Sequence, residues 1–177
     1  VKITGAIEFK PFFSSFNGAN IITSNWLIDP VNITIDATLA TAIQTALDTA
    51  DVTITTDGSN TPDTLSGESV GDGNINVNAN ITTNALDSDK TLSLLAHNNI
   101  VFADGISIDA SQNSNLNKLN VILTADKDNN GTGQVILTGA TGNTIITKNG
   151  DLTINNQVDS NVDGETPLTI NAGTGKV

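Results

Sequence analysis

The sequence predicts an all-β solenoid of stacked parallel strands, with one short helix near residues 37–50. Ile, Val, Leu and Ala supply most of the apolar residues, and Asn, Thr, Asp and Gly fill most of the remainder. These residues favour strands and tight turns, whereas long helices are richer in Glu, Lys, Gln and Arg. Because 37% of the 177 residues are hydrophobic, the chain can bury a continuous core. We expect a single domain over residues 1–177.

Short apolar alternations recur from residue 52 to the C-terminal residues. Six of them are predicted to be equivalent strands, about 16 to 31 residues apart: 52–54, 75–77, 92–94, 121–123, 152–154 and 168–170. Secondary strands are predicted between them: Ile81, 100–102, 106–108, 135–137 and 145–146. Two or three strands per period, with no helix between them, indicate a parallel β-helix. The alternative is an antiparallel sandwich, but no Asn-Gly or Asp-Gly turn joins strands of matched length.

Residues 36–50 have the spacing of one apolar helix face. The apolar positions fall at i, i+3, i+4, i+7 and i+8: Leu39, Ala42, Ile43, Ala46 and Leu47. Asp36 is the predicted N-cap, because its carboxylate can accept from free N–H groups of the first turn. The helix is short, so we expect it to lie against the sheet as a lid. Trp26 is expected to be buried between the sheet and this helix.

The charge balance argues against several classes of partner. Seven lysines and no arginine accompany 19 acidic residues, which gives a net charge of −12. Phosphate recognition depends on basic patches and arginine forks, so we expect no nucleic-acid partner. No apolar run approaches the roughly 18 residues of a membrane span, so we expect no membrane insertion. The absence of cysteine excludes disulfides, zinc–thiolate sites and thiol catalysis.

Four motifs follow one another early in the chain: Trp26-Leu-Ile-Asp-Pro30, Asn32-Ile-Thr-Ile35, Ala42-Ile-Gln-Thr-Ala-Leu47 and Val52-Thr-Ile-Thr-Thr56. The pattern continues at 73–77, 92–94 and 123–133. In this order the motifs resemble filamentous haemagglutinin-type proteins, the large adhesins that Gram-negative bacteria secrete by the two-partner pathway. The resemblance covers about residues 24–154. It implies a right-handed parallel β-helix that is secreted or on the cell surface, and an outer-membrane pore partner for export. The family's Asn-Pro-Asn-type secretion motif is absent, so the resemblance implies a stem rather than an export signal.

The segment from Asp126 to Gly131 has the first half of a calcium loop. Oxygen-bearing side chains stand at positions 1, 3 and 5, which makes Asp126, Asp128 and Asn130 the candidate metal ligands. Position 12 is Leu137, where a bidentate Glu belongs, and no helices flank the loop. The alternative interpretation, which we favour, is a turn between two strands. We therefore expect no cofactor and little response to calcium.

Three Asn-X-Thr triplets are candidate glycosylation sites, at Asn32, Asn80 and Asn130. In a chain this rich in Asn and Thr, such triplets also arise by chance. His97 is the only histidine, and it cannot form a catalytic triad or a metal site without suitable neighbours. We expect His97 to be a turn residue between two strands.

The sequence predicts that the protein is not an enzyme. A pectate-lyase-like site would need an arginine base, and a glycosidase would need two facing carboxylates. Arginine is absent, and the acidic candidates stand near turns, where Asp is common: Asp87, Asp89, Asp104 and Asp109. No catalytic residue is therefore assigned.

We expect a non-enzymatic structural and adhesive segment of a large secreted surface adhesin, which projects a binding region from the cell. The host or neighbouring-cell receptor is not identified by the sequence. Two alternatives stay open: a carbohydrate-binding or carbohydrate-active β-helix of the phage-spike kind, and the stem of a contact-dependent toxin. Residues 173–177 carry no cap for the last strands. Since natural solenoids cover such ends, we expect a segment of a larger protein that associates end to end when isolated.

Overall fold

A computed structural model describes residues 32–56, 72–160 and 167–177, together with the backbone of two strands at 7–9 and 25–28. The described part contains one helix, α1 (Ala37–Leu47), and fifteen short strands. In chain order the strands are β1 (Ile7–Phe9), β2 (Asn25–Ile28), β3 (Ile33–Ile35), β4 (Asp51–Thr55), β5 (Ile75–Val77), β6 (Ile81–Thr82), β7 (Lys90–Leu95), β8 (Ile100–Phe102), β9 (Ser107–Asp109), β10 (Leu119–Thr124), β11 (Val135–Leu137), β12 (Asn143–Ile146), β13 (Leu152–Asn155), β14 (Val158–Ser160) and β15 (Leu168–Asn171).

The strands form three parallel sheets. Sheet 1 has the spatial order β1-β2-β4-β7-β10-β13, sheet 2 has β3-β5-β8-β11-β14, and sheet 3 has β6-β9-β12-β15. Every described pairing is parallel. The all-β prediction with one short helix is thus confirmed. The antiparallel sandwich, our alternative, is not the arrangement of these strands.

From β4 onward the chain visits the three sheets in a fixed rotation. Four successive sets of three strands follow the order sheet 1, sheet 2, sheet 3, and we call each set a cycle; β2, β3 and α1 precede them and count as the cycle before. In sheet 1, Val52 pairs with Leu92, Leu92 with Val121, and Val121 with Leu152. Successive cycles therefore take 40, 29 and 31 residues, which is longer than most of the spacings that the sequence predicted.

Two of the six strands predicted to be equivalent do not lie in sheet 1 with the other four. The segment 75–77 is β5 of sheet 2, and the segment 168–170 lies in β15 of sheet 3, whereas the other four lie in sheet 1. The prediction failed because all three sheets need the same alternation of inward apolar and outward polar residues. The predicted secondary strands are found as β6, β8, β9, β11 and β12.

Apart from Phe102, the core consists of aliphatic side chains that stack from one cycle to the next. In β7 and β10 alternate side chains are buried, and the paired residues Leu94 and Leu123 are fully enclosed. Sheet 2 repeats this alternation with Ile75 and Ile100, and Ile108 does so in sheet 3. Because residues that pair in register face the same side of the sheet, each row of inward side chains continues along the stack.

Helix α1 begins where the sequence predicted and ends three residues earlier than residue 50. The Asp36 side chain accepts a hydrogen bond from the Leu39 N–H at 2.9 Å, so the predicted N-cap is confirmed. The buried face is formed by Ala40, Ile43 and Leu47. In chain order α1 stands where later cycles place a strand of sheet 3. It contacts β6, the edge strand of that sheet, as well as β3, β4 and β7.

Trp26 lies in β2, where its backbone pairs with Ile7 on one side and Val52 on the other. Its side chain falls outside the described residues, and so does the predicted burial of the indole. Within the described part, no helix has the length and apolar character needed to cross a membrane.

Candidate functional site

The candidate calcium loop is the turn that joins β10 to β11. Asp126 is buried at its start, with 7% of its surface exposed, whereas Asp128 and Asn130 are exposed. The backbone adopts a positive φ at Asp126 (54°), Asn129 (57°) and Gly131 (87°). Asp and Asn tolerate this left-handed conformation better than most residues, and Gly adopts it freely. The Asp/Asn/Gly composition of the segment therefore suits its tight path.

Both carboxylate oxygens of Asp126 face N–H donors. Oδ1 accepts from the backbone N–H of Asn130 at 2.8 Å, and Oδ2 accepts from the backbone N–H of Gly131 at 2.9 Å. Asn156, in the following cycle, donates its Nδ2 to Oδ2 at 3.2 Å. Hydrogen bonds to a carboxylate are stronger than those to a neutral acceptor, so the buried Asp126 side chain stabilises the conformation of this turn.

Asp128 joins this turn to the preceding cycle. His97, in the turn between β7 and β8 as predicted, places Nε2 at 3.3 Å from Asp128 Oδ2. The same oxygen accepts from Asn130 Nδ2 at 2.7 Å. Partial desolvation raises the pKa of the Asp128 carboxyl, but the Asn130 hydrogen bond and the attraction of His97 outweigh it, so the pKa is lowered overall.

The three candidate calcium ligands thus lie in one turn, but their oxygens are engaged within the protein. Asp126 accepts backbone N–H groups, and Asp128 and Asn130 bond to each other. Leu137, at position 12, is buried in β11. Across the described ranges, no three His, Cys, Asp or Glu side chains form a group that could hold a metal ion. The expected indifference to calcium stays a prediction.

The three candidate glycosylation sites are exposed, but their amide groups differ in role. The Oδ1 of Asn32 accepts from the Asn74 N–H at 2.7 Å, and that of Asn80 accepts from the Ser107 N–H at 2.8 Å. Asn130 instead bonds within its own turn. Asn32 and Asn80 therefore connect neighbouring cycles, whereas glycosylation itself stays a prediction at all three residues.

A side-chain ladder connects successive cycles, and the sequence analysis missed it. Before sheet 2 a side-chain oxygen of one cycle accepts from a backbone N–H of the next: Asn32 from Asn74 (2.7 Å), Asn74 from Asn99 (3.0 Å) and Asn99 from Gln134 (2.9 Å). Equivalent contacts lie near the starts of strands in the other two sheets: Asp51 from Thr91 (2.8 Å), Asp89 from Lys118 (2.9 Å), Asn120 from Asp151 (3.0 Å), Asp151 from Lys176 (2.8 Å), Asn80 from Ser107 (2.8 Å) and Asp104 from Thr141 (2.7 Å).

The sequence does carry a signal for this ladder. An Asn or Asp stands directly before the first core residue of many strands, as in Asn74-Ile75, Asn99-Ile100 and Asp151-Leu152. Short polar side chains at these positions can reach a backbone N–H, which is why Asn and Asp favour turns. The same residues then hold neighbouring cycles in register.

The acidic residues weighed as catalytic candidates have hydrogen bonds in the turns. Each accepts at 2.7–2.9 Å: Asp87 from Ser88 Oγ, Asp89 from Lys118 N, Asp104 from Thr141 N and Asp109 from Ser111 N. The hydrogen bond from Lys90 lowers the pKa of Asp87. Burial and the charge of Asp87 raise the pKa of Asp48, the C-cap residue of α1. That Asp48–Asp87 proximity did not emerge from the sequence. The absence of enzyme activity stays a prediction.

In comparisons with family models, with curated proteins and with solved structures, nothing matches this chain. The resemblance to filamentous haemagglutinin-type proteins therefore stays a prediction, which depends on the motifs of residues 24–154.

Proposed function

We propose that the chain is a right-handed parallel β-helix that serves as a non-enzymatic stem of a large secreted surface adhesin of the filamentous haemagglutinin type. The observation that carries this proposal is the rotation of the chain through three parallel sheets in constant register. Each added cycle extends such a stack by about 4.8 Å along one axis. The stack can therefore lengthen by repeating the same core packing, which suits a part that projects a binding region from a cell.

The connections support the right-handed form of the stack. Strand-to-strand crossovers between parallel strands of one sheet are right-handed in about 98% of cases. Every described return to the same sheet is a connection of this kind, as from Val52 to Leu92 or from Ile75 to Ile100. The family resemblance implies the same hand.

The outer surface favours a stem over a carbohydrate-binding protein. One outward row of sheet 1 consists of Thr53, Ser93, Ile122 and Thr153, which are small and polar apart from one isoleucine. Among the fully described residues Phe102 is the one aromatic side chain, and it is buried. Small-molecule sites are usually lined by apolar and aromatic side chains around a few polar groups. The fully described faces expose no Phe, Tyr or Trp side chain for such a lining.

Binding assays test this function. The purified chain is applied to a broad glycan array and to cultured epithelial cells, with an unrelated acidic protein of similar size as the control. We expect no saturable binding, because a stem carries the binding region without forming it. Saturable binding to one glycan class would instead support the carbohydrate-binding alternative.

The place of the stem in the cell is tested by export. We propose secretion to the surface of a Gram-negative bacterium through an outer-membrane pore partner, as the resemblance implies. Fusion of the chain behind a two-partner secretion domain, expressed with its matching pore, should give surface exposure measured by protease accessibility. Retention in the periplasm, with the secretion domain alone exported normally, would contradict this route.

A further inference from the structure

The dipeptide Asn130-Gly131 has a chemistry of its own that a stem does not require. A backbone nitrogen that follows Asn can attack the side-chain amide carbon of that Asn and form a five-membered succinimide. Gly in the following position hinders this attack least, because it has no side chain. A second described Asn-Gly pair, Asn149-Gly150, provides a comparison within the same chain.

The attacking nitrogen at this turn lies beside a fixed base. The backbone N–H of Gly131 donates to Asp126 Oδ2 at 2.9 Å, within the range for proton transfer to a general base. Asp126 is buried and is also held by the Asn130 N–H and the Asn156 amide. Nothing lies within 4 Å of the position that a Gly131 Cβ would take, so the space beside the Cα of this glycine is open.

The amide under attack is hydrogen-bonded at both its oxygen and its nitrogen. Its oxygen, Asn130 Oδ1, accepts from the Thr132 N–H at 3.0 Å and from Thr132 Oγ1 at 2.5 Å. Two donors on the oxygen that gains negative charge stabilise a tetrahedral intermediate in the manner of an oxyanion hole. The leaving nitrogen, Asn130 Nδ2, donates to Asp128 Oδ2 at 2.7 Å, which orients the amide.

We propose that Asn130 is a self-modification site, at which this turn promotes succinimide formation. The proton of the Gly131 nitrogen passes to Asp126, and the nitrogen forms a bond to Cγ of Asn130. A water molecule at the exposed turn carries this proton from Asp126 to Nδ2. The bond from Cγ to Nδ2 then breaks, and the nitrogen leaves as ammonia. Water then opens the ring to aspartate or isoaspartate. No oxidant, reductant or metal takes part.

Asn149-Gly150 lacks this arrangement. The N–H of Gly150 donates to a neutral carbonyl, Thr147 O, at 3.2 Å, and Asn149 Oδ1 accepts from Thr174 N–H at 2.9 Å. A Cβ at Gly150 would collide with the backbone of Leu119, so this glycine is closely packed against the neighbouring cycle, whereas Gly131 is open. The folded chain should therefore modify Asn130 and spare Asn149.

Peptide mapping by mass spectrometry tests the proposal. The folded chain is held at neutral pH, and conversion of each amide to the acid is followed over time, with the denaturant-unfolded chain in parallel. General-base and oxyanion effects predict that Asn130 converts about tenfold or more faster than Asn149 in the folded chain. The two rates should approach each other in the unfolded chain. An Asn130 rate no higher in the folded than in the unfolded chain would overturn the proposal.

Two variants separate the roles of the residues. Asp126→Asn removes the base, and Thr132→Val removes the hydroxyl donor at an exposed position; each should slow conversion of Asn130 while Asn149 keeps its rate. Thermal unfolding of both variants checks that the fold persists. If Asp126→Asn disrupts the turn, Thr132→Val still tests the proposal. The conservative Thr132→Ser keeps the hydroxyl donor and should convert Asn130 at the wild-type rate. If Asn130 converted at the wild-type rate in Thr132→Val, the Thr132 hydroxyl would not stabilise the intermediate, and this result would contradict the proposal.

Discussion

The side-chain oxygen of Asn99 accepts a hydrogen bond at 2.9 Å from the backbone N–H of Gln134, which lies 35 residues later in the chain. The backbone N–H of Asn99 in turn donates to Asn74 Oδ1 at 3.0 Å. One residue therefore bonds to the cycle before it and to the cycle after it. A slip of one residue in strand register would break both contacts, so the side-chain ladder favours the native register over its neighbours.

The first prediction removes one rung of this ladder. Asn99→Ala leaves the partly buried Gln134 N–H without its acceptor, which typically costs about 1–3 kcal/mol. We expect the free energy of unfolding to fall by that amount, as measured by urea denaturation with fitted midpoint and slope. Asn76→Ala is the matched control, because Asn76 lies on the outer face of β5. Equal losses in both variants would show that the ladder contributes nothing beyond strand propensity.

The second prediction concerns the modular stack. Deletion of residues 92–120 removes one complete cycle and joins Thr91 to Val121. The registers bring Val52 against Val121 and Ile75 against Val135, because each pairs with the same residue of the deleted cycle. We expect a β-rich circular dichroism spectrum and a single cooperative unfolding transition, since strand pairing joins each cycle to its immediate neighbours.

A shorter deletion supplies the control for this experiment. Removal of residues 92–102 takes away fewer residues but places the strand of sheet 3 where sheet 1 requires a strand. This variant should lose cooperative unfolding. If the shorter deletion were tolerated and the complete-cycle deletion were not, the rotation through three sheets would not be the unit that organises the fold.

The third prediction concerns acid. Hydrogen bonds from the Thr141 N–H, and then from the Thr141 hydroxyl, lower the pKa of Asp104. An unfolded Asp titrates near pH 3.9, so the native state binds fewer protons than the unfolded state between the lowered pKa and that value. The stabilisation is therefore present above about pH 4 and is lost as pH falls through the lowered pKa.

Thermal midpoints across this range test the effect. Asp104→Asn should melt below the wild type at neutral pH, and the difference should shrink as the pH falls. Asp109→Asn is the control, because Asp109 accepts from Ser111 two residues away rather than from another cycle. A difference between wild type and Asp104→Asn that stays constant with pH would rule out the carboxylate as its source.

Much of this fold could be predicted from local pattern, as the helix and its cap show. Asp36, Ile43 and Leu47 act as their spacing indicates, because a helix needs only local periodicity and a cap. The assignment of strands to sheets failed at Ile75 and Leu168. Both segments have the same inward alternation as sheet 1, and only the pairing of distant cycles distinguishes the sheets.

The candidate site was harder to predict than the fold. Asp126 could be assigned to a turn from its Asp/Asn/Gly context, which the structure shows between β10 and β11. Its bond to Asn156 and the approach of His97 to Asp128 join different cycles. Such contacts depend on how the stack aligns its turns, so no short stretch of sequence contains them.

The fourth prediction concerns two glycines in the same turn region. A Cβ on Gly133 would collide with the backbone of Asn98 and Asp126, so Gly133→Ala forces two cycles apart. We expect a loss of about 3 kcal/mol, at the upper end for overpacking. A Cβ on Gly131 meets open space, but φ is +87°, and this strain costs an L-residue about 1–2 kcal/mol. Urea denaturation should rank Gly133→Ala as the more damaging change, and the reverse order would contradict the close approach.

The last prediction concerns metal removal. Asp126 directs its oxygens to the N–H groups of Asn130 and Gly131, so the turn has its negative charge stabilised without an ion. We therefore expect EDTA to leave the thermal midpoint unchanged, and added calcium to leave it unchanged as well. Asp128→Asn, which removes the exposed carboxylate, should behave the same with and without calcium. A ligand that binds only the native state raises the midpoint by mass action, so a calcium-dependent rise of several degrees that disappears in Asp128→Asn would establish a calcium site here.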